Sequence, residues 1–194
     1  MYVRDARNRD EAWLLDHIEA MGLDDVAFRS RDYVVAVDDE SDTRAGFGRL
    51  RFHPTPAEPE CVELTSIGVL DGWRGQGVGA HVVERLVDTA EMEGFDRVYS
   101  LTSETEYLAQ FGFYGVERED LPDLLVERLE AKRESFDPDA IAMAVDVDRF
   151  RMPEALRERF KSAAEADAEP EIEETAEDFG IDADTATYKY DTGR

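Results

Sequence analysis

The residues in this chain whose types and spacing could do chemistry concentrate in one segment, "VLDGWRGQGVGAHVVERLV" (69–87). Arg74 is followed by Gly75, Gly77 and Gly79 at alternate positions, and the chain runs straight on into a helical pattern. Glycine is costly in regular structure and is kept where something must approach the backbone closely. The first turn of a helix presents unpaired N–H groups and the positive end of its dipole. With side chains out of the way, a pyrophosphate can reach those donors. Gln76, Gly77, Val78, Gly79 and Ala80 would supply them. Arg74 either adds charge or holds the loop, and both roles stay open.

Two other phosphate loops fit less well. A P-loop needs a lysine after its last glycine, and none stands here. Gly75, Gly77 and Ala80 spell the G-x-G-x-x-A of a dinucleotide fingerprint. There the strand runs almost directly into the glycines, whereas here "DGWR" intervenes, and too little strand–helix alternation follows for a doubly wound sheet.

Upstream, Glu63 lies within "CVELTSIGVL" (61–70), on the opposite parity from Leu64 and Ser66. A carboxylate in a core strand needs an explanation. It is either a general base whose pKa is raised by desolvation, or the partner of an arginine such as Arg49 or Arg51.

These residues must be positioned by the elements around them. "MYVRDA" reads as a short strand, and residues 9–21 as a helix with Trp13, Leu14, Ile18 and Met21 near one face. Residues 32–39 and 44–53 read as strands joined by "DESD", with a proline-rich loop at 54–60 before strand 61–70. Residues 78–94 form an amphipathic helix with Val82, Leu86 and Ala90 on one face and Gly94 at its end. Then come a strand (96–102), a short helix (104–110) capped by Ser103 and closed by Gly112, a strand (113–118), a helix (121–134) and a last strand (139–147). After about residue 150 the composition shifts to one amphipathic stretch, an acidic run, and Tyr188 and Tyr190 in a polar end. That extension (151–194) is either a helix with a solvated tail, or it docks its tyrosines on the domain (1–150) or on a second subunit of a homodimer.

Read as R-x-x-G-x-G, Arg74, Gly77 and Gly79 resemble the acetyl-coenzyme-A signature of the GNAT superfamily of N-acetyltransferases. The preceding strand, the following helix and the downstream "YLAQFGF" extend the resemblance over residues 1 to about 148. It implies an α/β (α+β) fold with a mixed, mostly antiparallel sheet of six to seven strands, flanked by helices and splayed at its central strands. It implies acetyl-CoA as co-substrate, no metal, and direct transfer of the acetyl group to a primary amine. The thioester carbonyl would meet a backbone N–H near Ile67, Gly68 or Val69, with Gly68 easing an irregular backbone. Many members place a tyrosine four residues before the glycine of "GF" to protonate the leaving thiolate. Here that position is Leu108. Tyr107 is one residue away, about 100° around a helix, so its hydroxyl is expected to point elsewhere. Tyr114 is the substitute candidate, and solvent the other. "FGFYGVEREDLP" and "DPDAIAMAV" are similar to the stand-alone acetylglutamate-forming enzymes, although "RESFDPDAIAM" replaces the cysteine-containing segment often found there. An acceptor carrying a carboxylate would need a cation, for which Arg49, Arg51 and Arg118 are candidates. A non-enzymatic acetyl-CoA sensor is the alternative; the missing tyrosine favours it and Glu63 counts against it.

Composition narrows the setting. There are 47 acidic against 22 basic residues, a net charge of −25, and only Lys132, Lys161 and Lys189 are lysines. This is either simply a soluble acidic protein or one adapted to high cytoplasmic salt, where hydrated carboxylates keep the surface solvated and salt screens their repulsion. The scarcity of lysine favours the second. Nucleic acid is not an expected partner, because such binding rests on clustered Lys and Arg. No apolar run approaches the about 18–20 residues needed to cross a membrane. The charged N-terminus carries no apolar signal region, and the single cysteine, Cys61, fits a reducing cytoplasm. His17, His53 and His81 have no metal-ligand spacing.

Overall fold

The computed structural model of the protein describes residues 1–54 and 60–164. The elements run β1 (Tyr2–Asp5), α1 (Glu11–Ala20), β2 (Tyr33–Val37), β3 (Arg44–His53), β4 (Cys61–Val69), α2 (Val78–Met92), β5 (Arg97–Thr102), α3 (Thr105–Ala109), β6 (Tyr114–Gly115), α4 (Asp123–Ser135), β7 (Ile141–Asp146) and α5 (Glu154–Lys161). The strands form one sheet in the order β1-β2-β3-β4-β5-β7-β6. Every pairing is antiparallel except that of β4 with β5.

Alternation along the strands sorts the core onto the two faces of the sheet. Val34, Ala36, Val62 and Leu64 pack with Val82, Val83, Leu86 and Ala90 of α2. Tyr33, Val35, Val37 and Phe47 face Leu14 and Ile18 of α1. On that same face, further along, Leu101 and Ala142 meet Leu125 and Leu129 of α4. β2 is therefore covered on both sides, which is why "YVVAV" reads as unbroken apolar sequence. The buried positions of α2 recur at helical spacing, and removing one, as in Leu86→Ala, costs about 2–5 kcal/mol.

Two expectations are corrected. The strand expected at 113–118 is only Tyr114–Gly115, because the chain turns into a 3₁₀ segment at Arg118–Asp120. Ser103 does not cap α3; its N–H donates to Asp137, and the Thr102 hydroxyl receives the N–H of Glu104. The expectation for Tyr188 and Tyr190 lies outside the described residues.

The feature that matters for a site is the parting of β4 and β5. Their register holds for Val62↔Val98, Glu63↔Tyr99 and Leu64↔Ser100 and then ends. Just beyond, β4 carries one extra residue against β3: Phe47 pairs Gly68 while Arg49 pairs Thr65. A bulge of this kind bends the strand and increases its twist. It centres on Ser66, whose φ of 50° is left-handed, a conformation rare for a residue with a side chain. Its hydroxyl donates to the Asp24 carbonyl at 2.6 Å, which holds the kink. Gly68 has no positive φ. Its missing Cβ makes room for the Phe47 ring and the Met21 sulfur, so the irregular backbone lies two residues earlier than the sequence suggests.

Candidate active site

Where β4 and β5 diverge, a cleft of about 1160 Å³ opens. One end is walled by Ile67, Gly68 and Val69 and by the loop Arg74–Ala80; the other by the turn after α1, by Lys132 of α4 and by Phe136 just past its end. In a strand successive N–H groups alternate between the two edges. Beyond Leu64 those on the β5 side have no ladder partner.

The loop enters α2 through left-handed Gly75 and Gly77, with φ of 72° and 80°. Arg74, Gly75, Gly77, Val78, Gly79 and Ala80 all line the cleft. Gln76 turns away, donating to the carbonyls of Gly72 and Ala164. Arg74 is exposed, donates to the Val69 carbonyl and pairs with Asp71 at 3.0 Å. It therefore holds the loop while keeping free donors. The glycines answer to neighbours as well as to any anion. A Cβ on Gly77 would collide with the Leu156 carbonyl of α5, and one on Gly79 would lie 2.7 Å from the Tyr107 hydroxyl.

That last contact overturns the expectation that Tyr107 points away. Tyr107 lines the cleft against the first turn of α2, while Leu108, at the usual tyrosine position, is buried in the core. α3 is only five residues long, and its placement rather than ideal helical phase decides where the ring goes. Burial pushes the Tyr107 phenol up to about 12.

Glu63 is not placed as a base. It is completely buried on the α4 face of the sheet and does not line the cleft. His53 Nε2 donates to it at 2.8 Å, and Arg128 donates through Nε at 2.7 Å and Nη2 at 3.1 Å. Burial alone would raise its pKa, but the hydrogen bonds from His53 and Arg128, with the Arg128 charge, hold it at about 2. Arg128 also donates to Asp24 at 2.7 Å. The ion-pair reading is the one the geometry supports, with Arg128 of α4 as the arginine rather than Arg49 or Arg51.

The other polar candidates are dispersed. Arg49 is buried and spent on the carbonyls of Val26 and Ala27 and on Asp32, so it fastens the loop before β2. Arg51 is half-buried beside this network. Burial and the neighbouring Arg128 lower its pKa, and one of its terminal nitrogens has no partner. Tyr114 is exposed on β6, with its hydroxyl 3.4 Å from Asp146. Arg118 pairs with Glu130 at the surface. None of these four lines the cleft.

At the α4 end the cleft is lined by the cation Lys132, which donates to the Leu101 carbonyl and whose pKa burial lowers. Thr65 joins it, with a buried hydroxyl that has no partner among the described residues. Arg128 and Lys132 stand four residues apart on α4, beside its buried Leu125 and Leu129. That spacing was the signal available in the sequence.

The acetyltransferase (GNAT) family matches residues 3–115, more than half of the chain. A Mycobacterium tuberculosis protein, Rv2747, solved with CoA, is 21% identical with a TM-score of 0.61, over 75% of this chain and 99% of that one. N-acetylglutamate synthase from Neisseria gonorrhoeae, solved with coenzyme A and N-acetyl-glutamate, is 20% identical with a TM-score of 0.58; the match spans 75% of this chain but only 34% of the synthase. Naa50 from Arabidopsis thaliana, bound to a bisubstrate analogue, is 14% identical with a TM-score of 0.54, over 74% of this chain and 97% of that one.

Proposed function

The chain belongs to the acetyltransferase (GNAT) family, and on that premise we propose that it transfers an acetyl group from acetyl-CoA directly to the primary amine of a small molecule, an amino acid being the class that fits best. The observation that carries this reading is the cleft itself. β4 leaves β5 beyond Leu64, and the opened edge leads directly into the glycine loop. The pyrophosphate sits on Gly77–Ala80 and the thioester reaches back along β4.

The acceptor enters between α1 and α4. Its nitrogen attacks the carbonyl carbon, and charge gathering on the oxygen is met by a backbone N–H of the Ile67–Val69 stretch. As the C–S bond breaks, the Tyr107 hydroxyl donates its proton to the thiolate, and the proton lost by the amine restores the hydroxyl. Held at about 12, that phenol stays protonated at working pH. Glu63 positions Arg128 and His53. Lys132 receives the acceptor's carboxylate; the N. gonorrhoeae synthase, solved with N-acetyl-glutamate, is consistent with an amino acid rather than a plain amine.

The test is a thiol-release assay with acetyl-CoA and a panel of amino acids, polyamines and short peptides. Release that depends on an amino acid is expected. Protein that binds acetyl-CoA yet releases no thiol with any amine would overturn transfer and return the sensor reading.

A further inference from the structure

Beyond the last strand of the sheet, α5 turns back and packs across the first turn of α2. Phe160 is buried against the His81 ring, centroids 3.8 Å apart and nearly parallel. Arg157 pairs with Glu84. The side chain of Gln76 clasps the end of α5, donating to the Ala164 carbonyl at 2.9 Å and accepting its N–H at 3.0 Å. The Leu156 carbonyl occupies the place a Cβ on Gly77 would take. Four separate contacts thus fix one short helix to the loop that would cradle a pyrophosphate.

The helix brings a charge with it. Arg159 lines the cleft together with Arg74 and the glycines. Its Nη1 lies 3.5 Å from the Gly75 carbonyl, too far to hold the guanidinium firmly. No carboxylate pairs with it among the described residues. Its neighbours on α5 pair elsewhere, Glu158 with Lys161 and Arg157 with Glu84. An exposed, uncommitted guanidinium at the mouth of an anion loop, in a protein of net charge −25, has the chemistry for bidentate contact with a phosphate.

We propose that Arg159 is a cofactor-binding residue, held by α5 over the glycine loop so that its guanidinium meets the pyrophosphate of the coenzyme. The inference rests on the acetyl-CoA reading above. It gives the C-terminal helix a part in the site, and it makes Gly77 a docking point for α5 as well as an opening for the anion.

Calorimetry on the full chain tests it, using acetyl-CoA and 3′-dephospho-CoA as probes with wild type, Arg159→Ala and Arg159→Lys. Loss of a hydrogen bond to a charged group predicts on the order of ten- to hundred-fold weaker binding for Arg159→Ala. The loss should be equal for both probes and partly rescued by lysine, with an unchanged melting temperature because Arg159 is exposed. Phe160→Ala, which frees α5, should weaken binding too. In that background Arg159→Ala should cost less than about two-fold, because the two changes act as one unit. Wild type that binds neither probe would refute the cofactor reading itself. Wild type that binds while Arg159→Ala binds equally well would overturn this inference alone. A loss seen with acetyl-CoA but not with the dephospho form would move the contact to the 3′-phosphate and overturn the pyrophosphate assignment. A full Arg159→Ala penalty in the Phe160→Ala background would overturn the positioning by α5.

Discussion

The two ends of the cleft are built on opposite principles. The end proposed for the cofactor is backbone: left-handed glycines, a helix start and an unpaired strand edge, with Arg74 and Arg159 exposed at its rim. The end proposed for the acceptor rests on buried charge. Asp24, Glu63, His53 and Arg128 form a continuous hydrogen-bonded cluster beneath it. Backbone donors are cheap to expose and indifferent to small changes nearby. Buried ions hold their places only while every partner is present, since an unpaired charge in the interior is far costlier than a well-paired one is stabilising. The cofactor end should therefore lose binding when altered and keep its fold, while the acceptor end should lose its fold first.

The largest expected effect breaks the acceptor end. Glu63→Gln leaves Arg128 without a full counter-charge and should destabilise the protein by about 3–5 kcal/mol, read by denaturant unfolding. The pH profile of the remaining turnover should keep its shape; a lost limb would restore Glu63 as a base. The sign of the pH effect follows from its depressed pKa. This stabilisation is complete above the ordinary carboxylate value of 4.5 and is lost as pH falls from there towards about 2. A melting temperature flat between those values would contradict the pairing.

Next in size is Tyr107→Phe. Loss of a general acid should lower kcat about 100-fold, with affinity for acetyl-CoA within about two-fold and the melting temperature close to wild type, because among the described residues no hydrogen bond holds the hydroxyl in place. Tyr114→Phe should leave kcat unchanged, which sharpens the contrast between the tyrosine in the cleft and the one outside it. Lys132→Met should be smaller again. It should raise KM for a carboxylate-bearing acceptor about ten-fold, as loss of one charged hydrogen bond allows, while KM for a carboxylate-free amine stays put.

The smallest effect concerns the whole surface. A net charge of −25 repels itself and an anionic cofactor over the Debye length, about 30 Å at 0.01 M salt and about 3 Å at 1 M. Molar potassium chloride should raise the melting temperature and lower KM for acetyl-CoA. A KM that climbs steadily with salt would remove the case for adaptation to high salt.

The same contrast explains what was legible in the sequence. The cofactor end is contiguous: Arg74 to Ala80 and the apolar stripe of α2 stand in one stretch, and local rules read them directly. The acceptor end gathers β3, β4, the turn after α1 and α4, so its contacts are long-range. Arg128 lies 65 residues from Glu63 and 104 from Asp24, and no local pattern joins them. Glu63 was recognisable as an anomaly in a strand, and an arginine partner was one of its two readings, but no local pattern pointed to Arg128 or His53 as the partners. Tyr107 was misplaced because helical phase alone does not say where the five-residue α3 sits. Arg159 was hidden in a segment whose composition reads as a solvated appendage, and the long-range docking of α5, with Phe160 on His81, brings it to the loop.

The central claim is that the cofactor occupies the opening between β4 and β5, on the glycine loop. Backbone amide chemical shifts, followed by NMR as acetyl-CoA is added, test it most directly. The account predicts that the largest changes fall on residues 67–69 and 75–80, with Arg159 and its α5 neighbours moving in step and the buried Glu63–Arg128 cluster little affected. Saturable changes confined to a separate, smaller cleft near Cys61, Tyr99 and Leu121, or none at all in a folded protein, would contradict it.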